Sequence, residues 1–313
     1  MNEPGLASII VVNWNTGELT TRCLRSLFEK NRTTRFEAIV VDNGSIDGSP
    51  DLIARTFPDV RIVRNGENLG FARANNQAMR IARGDLFVLV NSDTVLLSEE
   101  PLRRIRSFFR GHPGYGIAGA KLVLPNGRIQ SLGREFPSLK NLIRSQILFS
   151  TASAFGARNG KTAAAEALDA ECVDGAFLAI RSETASRIGP MNERYFMYAE
   201  DAEWCLAARR AGFGVAVLPD IEVLHLHGQS ALKDFAPVLV HNAVNVSRFV
   251  NGTGGTAKAA GAFCVIMLGM LLRIPINAVR DPRRALAYVR GFIRCCGLLP
   301  RLGAIVRGEE NAA

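Results

Sequence analysis

An open, mostly parallel α/β sheet is the fold class that the sequence predicts, and three observations carry it. Four short β-rich apolar runs, SIIVVN (8–13), FEAIVVD (36–42), VRIVRN (60–65) and LFVLVN (86–91), recur through the first hundred residues. A single helical segment lies between one run and the next, so each connection is a crossover, and the sheet is parallel and covered on both faces. Polar residues collect just after the strands: Asn13 and Asn15, Asp42 and Asn43, Asn65 and Asn68, Asn91 and Asp93. Ligands on such sheets gather at the carboxyl ends of the strands.

In chain order, Leu19, Cys23, Leu27 and Phe28 give the first intervening helix, SPDLIARTF the second and GFARANNQAMRIARG the third. Beyond Pro101 the pattern changes. IAGAKLVLPNGRIQSLG (117–133) reads as a hairpin turning at Asn126-Gly127. Residues 138–171 carry no clear signal. VDGAFLAIRSE (173–183) reads as a strand, AEDAEWCLAARRAG (199–212) as a helix closed by Gly212, and FGVAVLPDIEVLHLHG (213–228) as two short strands around Pro219-Asp220. A polar helix around 235–250, a Gly/Thr linker NGTGGT (251–256) and two helices at about 257–276 and 282–298 complete the chain. The expected division is a domain over 1–234, with halves at about 6–100 and 101–234, and a helical basic extension over 235–313.

With 313 residues and 48% hydrophobic content, the chain buries a sizeable core, and global disorder is excluded. The six cysteines show no paired CxxC spacing, so they are expected to be reduced and mostly buried, with no zinc site. The opening MNEPGLASIIVV lacks the basic start of an export signal, and no uncharged run reaches the roughly 20 residues of a spanning helix. The body is therefore expected in the cytoplasm. Nine Lys/Arg and three acids within 251–313 give this segment +6 of the net +9. Its arginines are interleaved with AAGAFCVIMLGMLL and GFIRCCGLLPRLG rather than with stacking aromatics, which favours an anionic membrane surface over nucleic acid. A solvated or self-packed helical pair is the alternative. The 14 uncharged residues 259–272 suit a helix lying in the interface.

Five stretches carry candidate chemistry. VVDNGSIDGS (40–49) delivers Asp42 into a loop whose N–H groups suit an anion, while the carboxylate accepts from a base or ribose; an ordinary βα turn uses the same residues. NLGFARANNQA (68–78) opens a helix at Gly70, with Arg73 and Asn76 on its first turns near a phosphate; a capped polar helix looks similar. In LVNSDT (89–94), Asp93 at a strand end suits a divalent cation bound to a diphosphate, and the competing role is a helix N-cap. Glu200, Asp201 and Trp204 lie near one another at the start of the 199–212 helix. There a carboxylate either takes the proton of an attacking hydroxyl or only favours the helix dipole. His225 and His227 alternate with Leu, so they share a strand face and can serve a metal or a diphosphate, or only packing.

Together and in this order, VVNWN, VVDNGSIDGS, NLGFARANNQA, LVNSDT, VDGAFLAIRS, YAEDAEWCLAARRAG and VLHLHGQS resemble glycosyltransferase family 2, in its bacterial rhamnosyltransferase-like branch, over about residues 6–231. The resemblance implies the GT-A fold, a nucleotide-diphosphate-sugar donor, Mg²⁺ or Mn²⁺, and inversion at the anomeric carbon. By position it implies that Asp42 reads the nucleobase with Asn13 and Asn15, and that Gly70, Arg73 and Asn76 bind donor. It further implies that Asp93 holds the metal with His225, and that Asp201 is the general base with Glu200 as second choice. Asp174 and Gly175 fall in the acceptor-side segment, and Trp204 is grouped with them. Asn91 stands where a stricter form of the Asp-x-Asp element has an acid, and it is kept as a donor-side residue. The branch suggests dTDP-rhamnose as donor, a lipid-linked or polysaccharide acceptor that would meet residues 138–171, and a place at the inner face of the cell membrane in cell-surface glycan synthesis. Two other classes compete. A sugar-1-phosphate nucleotidyltransferase needs a Gly/Arg/Lys-rich loop that NWNTGELTT lacks, and a non-catalytic sugar-nucleotide-binding or membrane-assembly module draws on Asn91.

Overall fold

The computed structural model describes residues 2–149, 167–226 and 235–310. It divides into two compact units. The first comprises the described parts of 1–135, 154–193 and 201–230, and the second those of 136–153, 194–200 and 231–313.

In the first unit, β1 (Glu3–Asn13), α1 (Gly17–Lys30), β2 (Phe36–Asn43), α2 (Ser49–Thr56), β3 (Arg61–Asn65), α3 (Phe71–Ile81) and β4 (Gly84–Asn91) realise the alternation read from the sequence. Then come β5 (Thr94–Leu96), α4 (Pro101–Gly111), β6 (Tyr115–Val123) and β7 (Ile129–Ser131). The strand order is β3-β2-β1-β4, continued by four more strands. All pairs among these first four are parallel, in registers that set Asn13 opposite Asp42, Val12 opposite Asn91 and Asn43 opposite Asn65. The polar strand ends therefore form one row along the carboxyl edge.

Alternation sorts the strand residues between two faces. Ala7, Ile9 and Val11 of β1, Ala38 and Val40 of β2 and Val88 of β4 pack in one buried cluster with Leu24 and Leu27 of α1, Ile53 of α2 and Phe108 of α4. On the other face α3 packs against β1 and β2. Burial of each such Val, Leu or Ile stabilises the fold by about 1.5–3 kcal/mol.

The hairpin turns where expected, with Gly127 at φ +77° and its N–H donating to Leu124 O at 2.9 Å. Other expectations are revised. The strand expected over 173–183 is the shorter β9 (Phe177–Arg181), because Ser182 begins a helix, numbered α6 below, that the apolar run concealed. It runs antiparallel between β4 and β6. The two strands expected around Pro219-Asp220 are one 12-residue strand, numbered β10 below, whose register against β6 shifts between Leu218 and Glu222. Proline removes one donor there, and the strand bulges rather than ends.

Where the sequence gave no signal, α5 (Leu139–Leu142) and a π-helical turn (Ile143–Ile147) precede the undescribed 150–166, after which β8 (Leu168–Asp169) pairs with the long strand. Then follow α6 (Ser182–Ile188), α7 (Glu200–Arg210), closed by Gly212 at φ +88°, and β10 (Gly214–His225).

The second unit is helical: α8 (Phe235–Gly254), α9 (Thr256–Arg280), α10 (Pro282–Leu298) and α11 (Leu302–Arg307). The expected Gly/Thr linker is helix as far as Gly254, and Gly255 at φ +84° alone makes the break. Among the described residues α9 is the one helix long and apolar enough to cross a membrane, which the count of uncharged residues did not anticipate. That count stopped at Arg273, but the helix carries Arg273 inside it. Its guanidinium donates to Gly269 O, Gln146 O and Ser145 O.

Candidate functional site at the carboxyl edge of the sheet

The donor-side row begins with Asp42, almost wholly buried at the end of β2. Its Oδ1 accepts from Asn13 Nδ2 at 2.7 Å and its Oδ2 from the Ser45 N–H at 3.1 Å. Asn13 is fully buried. Its second amide hydrogen goes to Ser45 Oγ at 3.0 Å, and its Oδ1 accepts from Thr16 and Thr20 at 3.0 and 2.7 Å. With all its polar capacity in use, Asn13 orients Asp42. Asp42 keeps lone-pair capacity beyond its two bonds. Asn15, at φ +54°, bonds the same loop through the Ile46 N–H, which donates to its Oδ1 at 2.8 Å. Gly44 has to be glycine: at φ +77° an added Cβ would lie 2.7 Å from Glu67 Cα.

The second donor segment divides. Gly70, at φ +84°, leads into α3, and its N–H and its carbonyl are held by Asn68 and Asn43. Arg73 is more than half exposed, 3.8 Å from Glu193, and is free to turn toward an anion. Asn76 is buried, donating to Met191 O at 2.8 Å and Glu193 Oε1 at 3.0 Å and accepting from the Met191 N–H. These bonds tie α3 to the 189–193 segment. Asn91 makes no side-chain hydrogen bond among the described residues, and its N–H donates to Ala176 O at 3.0 Å.

The helix N-cap role for Asp93 falls away, because Asp93 sits in the tight turn between β4 and β5 and no helix follows. Antiparallel pairing of β5 with β10 sets Thr94 opposite His225, and the Leu226 N–H donates to Asp93 O at 2.9 Å. This brings His225 Nε2 to 3.3 Å from Asp93 Oδ1, with both side chains nearly buried. His225 Nδ1 lies 3.1 Å from Gln130 Oε1 on β7. Gln130 orients the imidazole from one side, and Nε2 on the other side faces the Asp93 carboxylate. A cation placed between Nε2 and Oδ1 would be held by one nitrogen and one oxygen. Among the described residues there is no cluster of three or more His, Cys, Asp or Glu, and Asp93 and His225 together offer one oxygen and one nitrogen. That donor set fits a divalent ion that takes its remaining ligands from diphosphate oxygens and water, Mn²⁺ more readily than Mg²⁺ because of the imidazole. His227, Gly228 and Ser230 lie outside the described residues.

On the other side of β4, Val90 pairs with Phe177, so residues 174–176 lie beside the end of β4. The Gly175 N–H donates to Asp201 Oδ2 at 3.0 Å, and the Ala202 N–H donates to Asp201 Oδ1 at 2.7 Å. Asp201 and Asp93 are thus both fixed at the carboxyl end of β4. Arg134 completes the arrangement: its Nη2 pairs with Asp201 Oδ2 and its Nε lies 2.7 Å from Asp174 Oδ1, while Ser131 Oγ donates to Asp174. Burial works against the charge, but Asp174 and Asp201 hold the Arg134 guanidinium well above its usual range. Two consecutive left-handed residues, Tyr198 (φ +72°) and Ala199 (φ +69°), precede the buried Glu200 and start α7. Such backbone costs about 1–3 kcal/mol per residue and concentrates at functional sites.

Trp204, grouped with the acceptor side, is enclosed, and its indole donates to Gly189 O at 3.0 Å. It supports α7 from within the core rather than meeting a ligand. The nearby thiols are inert: burial pushes Cys205 up to about 12 and Cys172 well above its usual value. Sequence reasoning missed Gln130, Ser131 and Arg134, although all three lie in or just after the hairpin it found.

Comparison with known proteins follows from this geometry. Residues 8–139 match the family model described as Glycosyl transferase family 2. Over that stretch, less than half of its length, the chain is similar to glycosyltransferase family 2. An uncharacterised relative in Sinorhizobium fredii is 28% identical over 226 residues, which is 70% of this chain but 24% of that protein. The N-acetylglucosaminyl-diphospho-decaprenol L-rhamnosyltransferase of Mycobacterium tuberculosis is 27% identical over 243 residues, 72% of this chain and 78% of that one. Among solved structures, a mannosyltransferase from Pyrobaculum calidifontis in complex with GDP-Man and Mn²⁺ superposes with a TM-score of 0.56 at 16% identity, covering 96% of this chain and 84% of that one. The fold is GT-A.

Proposed function

We propose that this protein is a family 2 glycosyltransferase that transfers a hexose with inversion from a nucleoside-diphosphate sugar to the hydroxyl of a lipid-linked or polysaccharide acceptor in bacterial cell-surface glycan synthesis. dTDP-rhamnose is the first donor to test. The observation that carries the reading is the row along one sheet edge: Asp42 at the end of β2, Asp93 with His225 at the end of β4, and Asp201 on the far side of that same end. The rhamnosyltransferase relative, whose name includes a decaprenol-linked acceptor, supports the choice of donor and acceptor class.

In this reading Asp42, oriented by Asn13, accepts from the base or ribose, and Arg73 turns to the diphosphate. Asp93 and His225 would hold Mn²⁺ or Mg²⁺, which when bound disperses the charge that gathers on the departing diphosphate. Asp201 takes the acceptor proton as the hydroxyl attacks the anomeric carbon from the face opposite the leaving group. Its Oδ2 already accepts from Arg134 and Gly175, so Oδ1, with one N–H bond, is the oxygen that receives the proton. Glu200 flanks it at the strained start of α7. The catalytic domain is proposed to span 1–234, and the C-terminal helices to hold the enzyme on the cytoplasmic face of the membrane where a lipid-linked acceptor resides.

A thermal-shift screen of nucleoside-diphosphate sugars with and without Mn²⁺, followed by turnover assays, tests this. Binding of dTDP-rhamnose strengthened by Mn²⁺, lost in Asp93→Asn and followed by sugar transfer, is the expected result. Tight donor binding with no turnover on any acceptor would favour a non-catalytic sugar-nucleotide-binding module, and pyrophosphate release from a nucleoside triphosphate a nucleotidyltransferase.

A further inference from the structure

α9 has two faces of different commitment. Ala259, Ala262, Phe263, Ile266, Met267 and Met270 are buried within the helical unit, and Arg273 stands with them, its guanidinium bonded to three carbonyls and 4.7 Å over the Phe149 ring. The opposite face carries Cys264, Leu268, Leu271, Pro275, Ile276 and Val279, all exposed, at the 3- and 4-residue spacings of one helical stripe. The stripe runs about 22 Å at the helical rise and contains no charge. Val279 at its end is 88% exposed.

α10 presents a different pattern. Its exposed residues Arg283, Leu286, Arg290, Ile293 and Arg294 also recur at helical spacing, so cationic and apolar side chains share one surface. Arg280 and Arg284, also exposed, lie at the junction with α9. We propose that the outer stripe of α9 and the arginine face of α10 form a one-sided, in-plane docking surface for an anionic lipid bilayer. In this placement α9 lies along the interface with Leu268, Leu271, Ile276 and Val279 among the acyl chains, and the guanidinium groups sit at phosphate depth with their stems on apolar surface.

Two alternatives fit less well. A helix of 25 residues reaches about 37 Å and is long enough to cross a bilayer, but crossing would strip the packed face and Arg273 from their protein partners. A second copy of the chain docked on the same surface would face five exposed arginines with five of its own. The inference deepens the membrane placement proposed above and does not depend on the sugar chemistry.

The native Cys264 reports on it directly, since it lies exposed in the stripe while Cys23, Cys172, Cys205 and Cys295 are buried. With the partly exposed Cys296 changed to Ser, the full-length protein is labelled at Cys264 with an environment-sensitive fluorophore. It is then mixed with vesicles of phosphatidylcholine alone or with phosphatidylglycerol. Expected are co-flotation with the anionic vesicles only, weakening as salt rises, and quenching of the label by shallow rather than bilayer-centre spin-labelled lipids. Arg290→Gln/Arg294→Gln is expected to weaken vesicle binding about 30-fold. Val279→Glu should abolish it while leaving circular dichroism and the donor-induced thermal shift unchanged.

Strongest quenching at the bilayer centre would establish a spanning helix and overturn the in-plane placement. Equal flotation with both vesicle types would overturn the role of the arginines in selecting an anionic bilayer, and flotation with neither, or dimerisation that Val279→Glu abolishes, would overturn the lipid partner. Sugar transfer to a soluble acceptor analogue without vesicle binding removes this inference alone, whereas vesicle binding without transfer removes the catalytic reading alone.

Discussion

At the scale of single residues, hydrogen-bonding capacity separates the groups that hold the site from those left to act. Asn13 and Asn76 have spent theirs on protein partners, while Asp42 and Asp201 have not. If Asp201 is the base, Asp201→Asn should lower kcat by about 10²- to 10⁴-fold while leaving donor affinity intact, read by single-turnover transfer beside calorimetric titration of the donor. Arg134 touches the same carboxylate without reaching the donor-side row, so its loss should act through position. Arg134→Met is expected to reduce kcat about 100-fold with little change in donor KM, and Arg134→Lys to recover only part of it, because a lysine cannot make both the Nε and Nη2 contacts. An unchanged kcat in Arg134→Met would sink that role. Sequence alone singled out Asp93 as an acid that ends an apolar run and Asp201 as an acid in the first turn of a helix. It could not find Arg134, whose partners stand 40 and 67 residues away and are joined to it only by the pairing of Arg134 with Cys172.

At the scale of elements, the first four strands were legible because burial on both faces leaves long apolar runs, and the row of polar strand ends followed from their parallel registers. Three elements were misread for identifiable reasons. β10 absorbs Pro219 as an irregularity, α6 begins without a break in the apolar pattern at Ser182, and α8 tolerates glycines up to Gly254 because its inner face is packed. The opposite edge of β1 and β4 gives a pH-dependent test. Glu37 accepts from Ser8 Oγ at 2.7 Å and from the Arg83 N–H and Nε. Burial raises its carboxyl, but these donors and the Arg83 charge bring it below its ordinary value. A carboxylate lowered in the folded state adds stability above its unfolded pKa of about 4.3, and that contribution disappears as pH falls through the folded value. The urea-midpoint gap between the wild type and Glu37→Gln should therefore be full near neutrality and close as pH falls below the ordinary carboxylate range. A gap that stays constant over that interval would show that the contact contributes no pH-linked stability.

At the scale of the whole molecule, one unit concentrates acidic and amide groups at a sheet edge, and the other concentrates arginines and exposed apolar side chains on helices. The excess positive charge at the C-terminal end was visible in the sequence. Its division into a packed face and an outer stripe was not, because Arg273 appeared to end the apolar run when in fact it lies on the packed side. The central claim is that a nucleoside-diphosphate sugar binds along the row from Asp42 to Asp93, with its cation between Asp93 and His225. The most direct test is anomalous diffraction at the manganese edge from crystals soaked with Mn²⁺ and an intact nucleoside-diphosphate sugar. The account predicts a peak within coordination distance of Asp93 and His225, with the nucleobase beside Asp42. A manganese peak elsewhere, with sugar nucleotide density away from the ends of β2 and β4, would contradict it.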